Sequence, residues 1–152
     1  MKTFVYESSL WLPRPLDAVF AFFADASNLE VITPPWLKFS VVTPAPIEMR
    51  PGALIDYRLR LRGLPLRWRS EITKWDPPYR FADAQVKGPY RQWIHEHTFV
   101  EQDGGTLAGD RVAYAVWGGA LANALVVRRD VERIFDYRRQ TLTAMFGSGD
   151  DS

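Results

Sequence analysis

Both histidines of the chain lie on one side of a single expected strand. Trp93, His95, His97 and Phe99 occupy alternate positions, and alternate residues of a β-strand project from the same face. An imidazole at such a position can orient a ligand, bind a metal ion or accept a proton. The sequence therefore predicts a largely aromatic face that contains two titratable groups.

The length of the preceding loop decides which side chains stand across from these rings. A three-residue loop over residues 88–90 would place Asp83 opposite His95 and Gln85 opposite Trp93. A two-residue loop would reverse the parity of the pairing and would present alanines instead. The sequence alone leaves both arrangements open.

This face supports four interpretations. In a packed core, the imidazoles would hydrogen-bond to Asp83, Gln85 or Tyr114. In the second interpretation the rings orient a ligand. Burial of two polar rings costs free energy, and a pocket with a few convergent polar groups would account for that cost. A metal site would take Asp83 or Asp110 as third ligand, but two histidines without a firmly placed third ligand do not make one. An enzyme would use His95 as general base, oriented by Asp83, on a carbonyl substrate.

Hydrophobic periodicity predicts the elements that position this face. Alternation over residues 3–12 indicates a strand, and helical spacing of apolar residues indicates a helix over 15–24. Ser27 and Glu30 have the spacing of a capping box for a second short helix. Over residues 37–117 the period is close to two and turn residues interrupt it, which predicts six more strands in an antiparallel meander.

A hairpin in the middle of this meander predicts one core face and one wet face. A two-residue turn at Gly63-Leu64 would place Leu59 opposite Trp68 on the core face. The other face then carries the arginine stripe: Arg58, Arg60, Arg62, Arg67 and Arg69. The stripe is typical of a solvated surface, and an anionic partner, a membrane surface or a second subunit is the alternative.

A long amphipathic helix is predicted over residues 121–146, which contain neither glycine nor proline. Its apolar stripe comprises Leu121, Leu125, Val131, Ile134, Phe135, Leu142 and Met145. At about 1.5 Å per residue such a helix is long enough to lie across a whole sheet. The order of elements predicts an α+β domain in which one sheet packs against one helix.

Composition narrows the classes of protein. The 152 residues fit one domain over 1–147, with a disordered tail over 148–152. A formal charge of +1 gives no overall attraction to nucleic acid, and no nucleic-acid partner is expected because the aromatic side chains lie on the face opposite the arginines. The absence of cysteine, of a signal peptide and of a membrane-spanning run favours a cytoplasmic protein.

The run FxDxQxxGPYxxWxHxHxF, which extends from Phe81 to Phe99, resembles the bacterial ligand-binding proteins of the SRPBCC superfamily, and so does the order of elements. This superfamily of START-type lipid-binding domains, pollen-allergen-like proteins and polyketide cyclases has the helix-grip fold. The resemblance implies a curved seven-stranded antiparallel sheet, two short helices after the first strand and a C-terminal helix that closes a cavity. It carries over no catalytic residue and implies no cofactor.

The expected function is the binding of a small hydrophobic or amphipathic ligand, for transport or sensing, by a monomer or weak homodimer. We expect nine residues to line the cavity: Tyr57, Trp68, Asp83, Gln85, Trp93, His95, His97, Tyr114 and Phe135. Trp36 and Trp117 lie where the cavity mouth would be and are candidates for a gate. The alternatives are a cyclase-like or hydrolase-like enzyme that uses His95 and Asp83, and an interaction module without a ligand.

Overall fold

A computed structural model describes residues 1–147 of the chain, so the tail expected at 148–152 lies outside the described residues. The strands are β1 (Phe4–Leu12), β2 (Ser40–Val41), β3 (Leu54–Leu61), β4 (Leu64–Asp76), β5 (Arg80–Lys87), β6 (Gln92–Gln102) and β7 (Gly105–Ala115). The helices are α1 (Leu16–Ala24), α2 (Leu29–Ile32), α3 (Gly119–Ala122) and α4 (Arg128–Phe146). A π-helical turn, Asn123–Val127, joins α3 to α4, and the three segments together form the C-terminal helix.

The seven strands form one antiparallel sheet in the order β1-β7-β6-β5-β4-β3-β2. Strands β2 to β7 are a meander, as their short connections predict, and β1 pairs along its whole length with β7. The C-terminal helix packs on the face of the sheet that carries the histidines, where the Phe135 ring lies 4.9 Å from the Tyr6 ring and 5.5 Å from that of His95. The expected α+β helix-grip fold is confirmed.

Aromatic packing fixes α1 against one end of the sheet. Phe20 and Phe23 are buried on the inner side of α1, at the helical spacing that predicts this element. The Phe20 ring lies 5.4 Å from Phe99 on β6 and 5.9 Å from Phe81 on β5, both edge to face. Since α4 contributes Leu142 to the same cluster, α1 fills one end of the space between helix and sheet.

The turn between β3 and β4 lies at Arg62-Gly63, and not at the predicted Gly63-Leu64. Both turn residues have positive φ angles, 51° and 83°, as a type I′ turn requires, and the twist of such a turn matches that of the flanking strands. Tyr57 therefore pairs with Trp68, and Leu59 with Leu66 instead of Trp68. The pairing changes by two positions, which preserves the parity, so the predicted core face and arginine face are both correct.

Of the two pairings left open between β5 and β6, the structure adopts the one given by the three-residue loop, with Asp83 opposite His95 and Phe81 opposite His97. The Gln85 amide holds this loop, since its Nε2 donates to the Tyr90 carbonyl and its Oε1 accepts from the Tyr90 N–H.

The capping box predicted for Ser27 and Glu30 is wrong. The Asp25 carboxylate accepts from the Ser27 N–H and begins a 3-10 turn, so the acidic residue two positions earlier takes the capping role. Glu30 instead accepts from the N–H of Val41, at 2.7 Å, and ties α2 to the short edge strand β2.

The C-terminal helix is amphipathic as predicted, but in its N-terminal part the residues of the predicted apolar stripe are exposed to solvent. Leu121 and Leu125 are 70% and 67% exposed, and Met145 is also exposed. The π-helical turn, whose hydrogen bonds span five residues, adds one residue to the turn and rotates the later part of the helix by about 100°. The buried residues of α4 are Val131, Phe135, Arg138 and Leu142. No helix among residues 1–147 is long and apolar enough to cross a membrane.

Candidate functional site

The two histidines form a buried aromatic stack on the inner face of the sheet. Their ring centroids are 3.7 Å apart with an angle of 25° between the planes. Phe81, on the adjacent strand, stacks on the far side of His97 at 4.1 Å and 12°. Both imidazoles are almost completely shielded from solvent, so their protonation depends on the polar atoms beside them.

Each histidine has its own carboxylate. His97 Nε2 lies 2.9 Å from Asp83 Oδ2, and His95 Nε2 lies 2.7 Å from Asp110 Oδ1. The sequence-based pairing of His95 with the Asp83 carboxylate is therefore wrong, although the two residues are directly opposite in register. A diagonal neighbour across two strands is within reach of a side chain, and Asp83 uses that diagonal. Asp110, which the sequence indicated only as a metal ligand, orients His95.

Arg138 completes the cluster from the C-terminal helix. Its Nη2 donates to Asp110 Oδ1 at 3.1 Å, and its guanidinium lies 5.1 Å from the Phe23 ring and 5.7 Å from the Phe135 ring. The burial of this residue was not predicted from the sequence, because arginines on an amphipathic helix usually face solvent. Its spacing was the available signal: Arg138 follows Phe135 by three residues and precedes Leu142 by four, within the apolar stripe.

The environment sets the charge of this cluster. Burial alone would raise the pKa of Asp110, but the positive charge of Arg138 and the hydrogen bond with His95 hold it well below its usual range. Burial likewise opposes ionisation of Asp83, but the hydrogen bond with His97 and the electrostatic attraction of His97, His95 and Arg138 together outweigh it, so the pKa of Asp83 is also lowered. Burial, reinforced by the neighbouring His95, lowers the pKa of His97 to about 4. At neutral pH both carboxylates are therefore ionised and His97 is neutral.

Two polar atoms of this cluster have no hydrogen-bond partner among residues 1–147. They are His97 Nδ1 and Arg138 Nε, and both are buried. Because ionised Asp83 accepts from Nε2 of the neutral His97 ring, Nδ1 carries a lone pair and is an acceptor. Arg138 Nε always carries a hydrogen and is a donor. Asp110 Oδ1 lies 3.6 Å from His97 Nδ1, too far and of the wrong type to satisfy it.

A cavity of about 160 Å³ lies between the C-terminal helix and the sheet. It is bounded by seven of the nine residues predicted to line it: Tyr57, Trp68, Asp83, Trp93, His95, His97 and Phe135. Arg138 also contributes to the wall. Tyr114 is buried outside this lining and donates its hydroxyl hydrogen to Asn123 Oδ1, while Gln85 holds the loop before β6. The structure thus brings together one polar cluster and a wall of aromatic and aliphatic side chains.

Helix α2 and the segment that joins it to β2 supply lining residues that were not predicted from the sequence. These are Leu29, Ile32, Thr33, Leu37 and Phe39. They have no strand periodicity, because the chain there runs through short helical turns. Only the apolar character of the segment could have indicated their burial.

A groove continues from the cavity toward the surface and shares Leu37, Leu61 and Ile134 with it. Arg62, in the β3–β4 turn, bridges this groove by two hydrogen bonds to the Asp130 carboxylate, at 3.1 and 2.8 Å.

The two tryptophans considered as gates differ in position. Trp36 borders the groove, and its ring lies 4.9 Å from the Arg133 guanidinium. Trp117 lies outside both cavity and groove, is 68% exposed, and contacts Arg91 by a cation–π interaction at 4.8 Å. Trp36 therefore has the position that a gate requires.

The arginine stripe lies on the outer face of the sheet, away from the cavity. Arg58 and Arg67 face each other across the two strands and are exposed. Arg69 instead forms a paired hydrogen bond with the Asp56 carboxylate, at 2.8 and 3.2 Å. Except for Arg62, which bridges the groove, the stripe therefore has no direct contact with the candidate site.

Three groups of the cluster could contribute to a metal site. One ligand atom each of Asp83, His95 and His97 lies within 4.8 Å of the other two, and nitrogen and carboxylate oxygen are ligands that zinc accepts. The positive charge of Arg138 acts on Asp83 and Asp110 and would oppose a second cation. The Nε2 atoms of both histidines and Oδ2 of Asp83 already take part in hydrogen bonds of the cluster, and these bonds would compete with metal binding at those atoms.

Comparison with solved structures shows that this architecture recurs. Protein Ms6760 from Mycobacterium smegmatis is 24% identical, with 93% of this chain and 89% of that chain covered and a TM-score of 0.69. Protein CV1439 from Chromobacterium violaceum is 12% identical, with coverage of 95% and 97% and a TM-score of 0.75. Ginseng major latex-like protein 151 from Panax ginseng is 12% identical, with coverage of 95% and 97% and a TM-score of 0.69. At these identities the likeness shows the fold alone.

Comparison with protein families identifies the chain more closely. No curated protein matches it. The model of the family described as polyketide cyclase / dehydrase and lipid transport matches residues 12–140, from the end of β1 into α4. The match covers the cavity and the charged cluster, and it agrees with the resemblance carried by the histidine strand. The chain belongs to the polyketide cyclase / dehydrase and lipid transport family, within the SRPBCC superfamily.

Proposed function

We propose that this protein binds a small, largely apolar molecule in the cavity between the C-terminal helix and the sheet, and carries or senses it. The observation that carries the proposal is the composition of the wall, in which aromatic and aliphatic side chains surround one cluster of buried polar groups. Binding sites for small molecules have this composition, because the apolar wall provides affinity and a few polar groups fix orientation.

The volume of the cavity limits the size of the ligand. An engineered protein cavity of about 150 Å³ accepts benzene, so about 160 Å³ suits one aromatic ring with a short substituent. A larger ligand would have to displace Trp36 or break the ion pair between Arg62 and Asp130 at the groove. Propylbenzene, with nine non-hydrogen atoms, is therefore a suitable probe.

A matched pair of substitutions tests the proposal. Leu59 and Leu54 lie on the same strand, but Leu59 is buried and lines the cavity whereas Leu54 is exposed on the other face. Leu59→Trp should fill the cavity and weaken propylbenzene binding at least tenfold, while Leu54→Trp should bind it like the parent. Titration calorimetry gives the affinities, and circular dichroism checks the fold. Equal binding by all three folded proteins, or binding by none, would reject the proposal.

Catalysis is the second candidate, and the pairing of His97 with Asp83 favours it. A carboxylate that orients an imidazole whose other nitrogen is free is the arrangement of a general base. The lowered pKa of His97, about 4, makes it a weak base at neutral pH, so we rank this function second.

The enzymatic alternative predicts proton exchange at a carbon next to a carbonyl group. His97 Nδ1 would take a proton from 4-phenyl-2-butanone in heavy water and return a deuteron. Mass spectrometry should then show deuterium uptake with the parent and not with His97→Gln. Uptake at the same rate with both proteins, or at the rate of buffer alone, excludes His97 as a base for this substrate.

We further propose that residues 1–147 act as one ligand-binding domain in the cytoplasm, as a monomer or weak homodimer. The absence of cysteine supports a reducing compartment. Sedimentation at increasing concentration tests the oligomeric state, and cell fractionation tests the location.

A further inference from the structure

The positive charge of Arg138 at the polar end of the cavity is already paired with a carboxylate. Arg138 is bound to Asp110, the second carboxylate belongs to Asp83, and His97 is neutral. Among the described residues that line this end, a fatty acid or another anionic ligand would meet the Asp83 carboxylate and an arginine that is already paired with Asp110. Because an unpaired charge is costly to bury, this end of the cavity disfavours a ligand carboxylate.

The two unpaired atoms indicate what the polar end accepts instead. His97 Nδ1 lacks a donor and Arg138 Nε lacks an acceptor, and both residues border the cavity. A buried polar atom without a partner destabilises the protein, so a ligand group that supplies the missing partner gains affinity. A hydroxyl both donates and accepts, whereas an ammonium only donates and a carboxylate only accepts.

Resting on the proposed binding function, we propose that the cavity selects uncharged apolar molecules that carry a hydroxyl group, and that His97 and Arg138 recognise this group. The hydroxyl donates to His97 Nδ1 or accepts from Arg138 Nε, and the hydrocarbon part contacts the aromatic wall. The buried cluster would then determine which ligands bind, in addition to its role in packing.

Four probes of similar size test the proposal on the parent protein. They are 2-phenylethanol, propylbenzene, phenylethylamine and phenylacetate. A cavity that merely excludes water would bind the hydrocarbon more than tenfold tighter than the alcohol, since the hydroxyl loses its hydration. We expect 2-phenylethanol to bind at least as tightly as propylbenzene, and at least tenfold tighter than the amine or the carboxylate.

The outcomes separate this inference from the function on which it rests. If none of the four probes binds, the proposed function fails and the inference fails with it. If propylbenzene binds but 2-phenylethanol is more than tenfold weaker, or if the amine or the carboxylate binds best, the cavity binds ligands and the inference is wrong. The parent protein alone decides between these results.

A substitution then locates the recognition. Arg138→Met should weaken the binding of 2-phenylethanol about tenfold relative to that of propylbenzene, whereas Arg129→Met, on the exposed side of the helix, should change neither affinity. If Arg138→Met does not fold, His97→Gln provides the same comparison, because its amide retains a donor for Asp83 and removes the imidazole acceptor. An unchanged ratio of the two affinities in the folded variant would contradict recognition by that residue.

Discussion

The neutral, buried state of His97 makes the stability of this protein depend on pH in a predictable direction. The pKa of His97 is lowered from 6.5 to about 4 by burial and by the adjacent His95. Between these two values the unfolded chain binds a proton at this position and the folded chain does not. The contribution of His97 to the free energy of unfolding is therefore fully retained above about pH 6.5 and is lost as the pH falls toward 4.

The magnitude can be worked out from the two pKa values. At about pH 4 the unfolded imidazole is almost fully protonated and the folded one about half, so the linkage relation gives a loss of about 3 kcal/mol. His97→Gln removes the titrating ring and keeps an N–H donor for Asp83. We expect the parent to lose about 3 kcal/mol more than this variant between about pH 7.5 and pH 4. The pKa of Asp83 is lowered, so its own contribution is lost only at more acidic pH.

Urea unfolding, followed by tryptophan fluorescence at several pH values, measures this difference. The slope of the unfolding free energy with urea should be the same for both proteins, which checks that the same surface is exposed. Parallel stability curves for the parent and His97→Gln over this range would refute the argument, because they would show that His97 titrates alike in the folded and unfolded chains.

Two further predictions concern the ion pairs. Arg138→Met leaves the buried Asp110 without its cation and should lower the unfolding free energy by about 3–5 kcal/mol at neutral pH. Arg129→Met should change it by less than about 0.5 kcal/mol. Urea unfolding measures both values, and equal losses would show that Asp110 does not need the guanidinium. Arg62→Gln should cost at most about 1 kcal/mol at low salt and close to nothing at about 1 M salt, since the pair with Asp130 is partly exposed. A loss that is the same at both salt concentrations would assign its effect to packing.

Local periodicity was sufficient to predict most of the sheet and the position of both histidines. A period of two does not depend on distant contacts, so Trp93, His95 and His97 could be placed on one face before any pairing was known. In the β3–β4 hairpin, the faces of the strands were predicted correctly although the turn was misplaced. The turn is one residue earlier than predicted, but the parity is preserved, and Tyr57 and Trp68 still face the core.

Features that depend on tertiary contacts could not be predicted in the same way. The diagonal reach of Asp83 to His97, instead of to His95, depends on how side chains lean between two strands. The π-helical turn rotates one part of the C-terminal helix relative to the other, so that Leu121 is exposed. This could not be predicted from helical periodicity, because tertiary packing decides which face of each part is buried. The burial of Arg138 depends on Asp110, a partner 28 residues earlier in the chain.

The central claim, that a ligand binds between the C-terminal helix and the sheet, is tested most directly by locating a bound probe. In solution NMR of the protein saturated with propylbenzene, we expect nuclear Overhauser contacts from the probe to Leu59, Trp93 and Phe135, which border the cavity. Contacts confined to the exposed side chains of Leu121 and Leu125, or no contacts with any side chain, would contradict it.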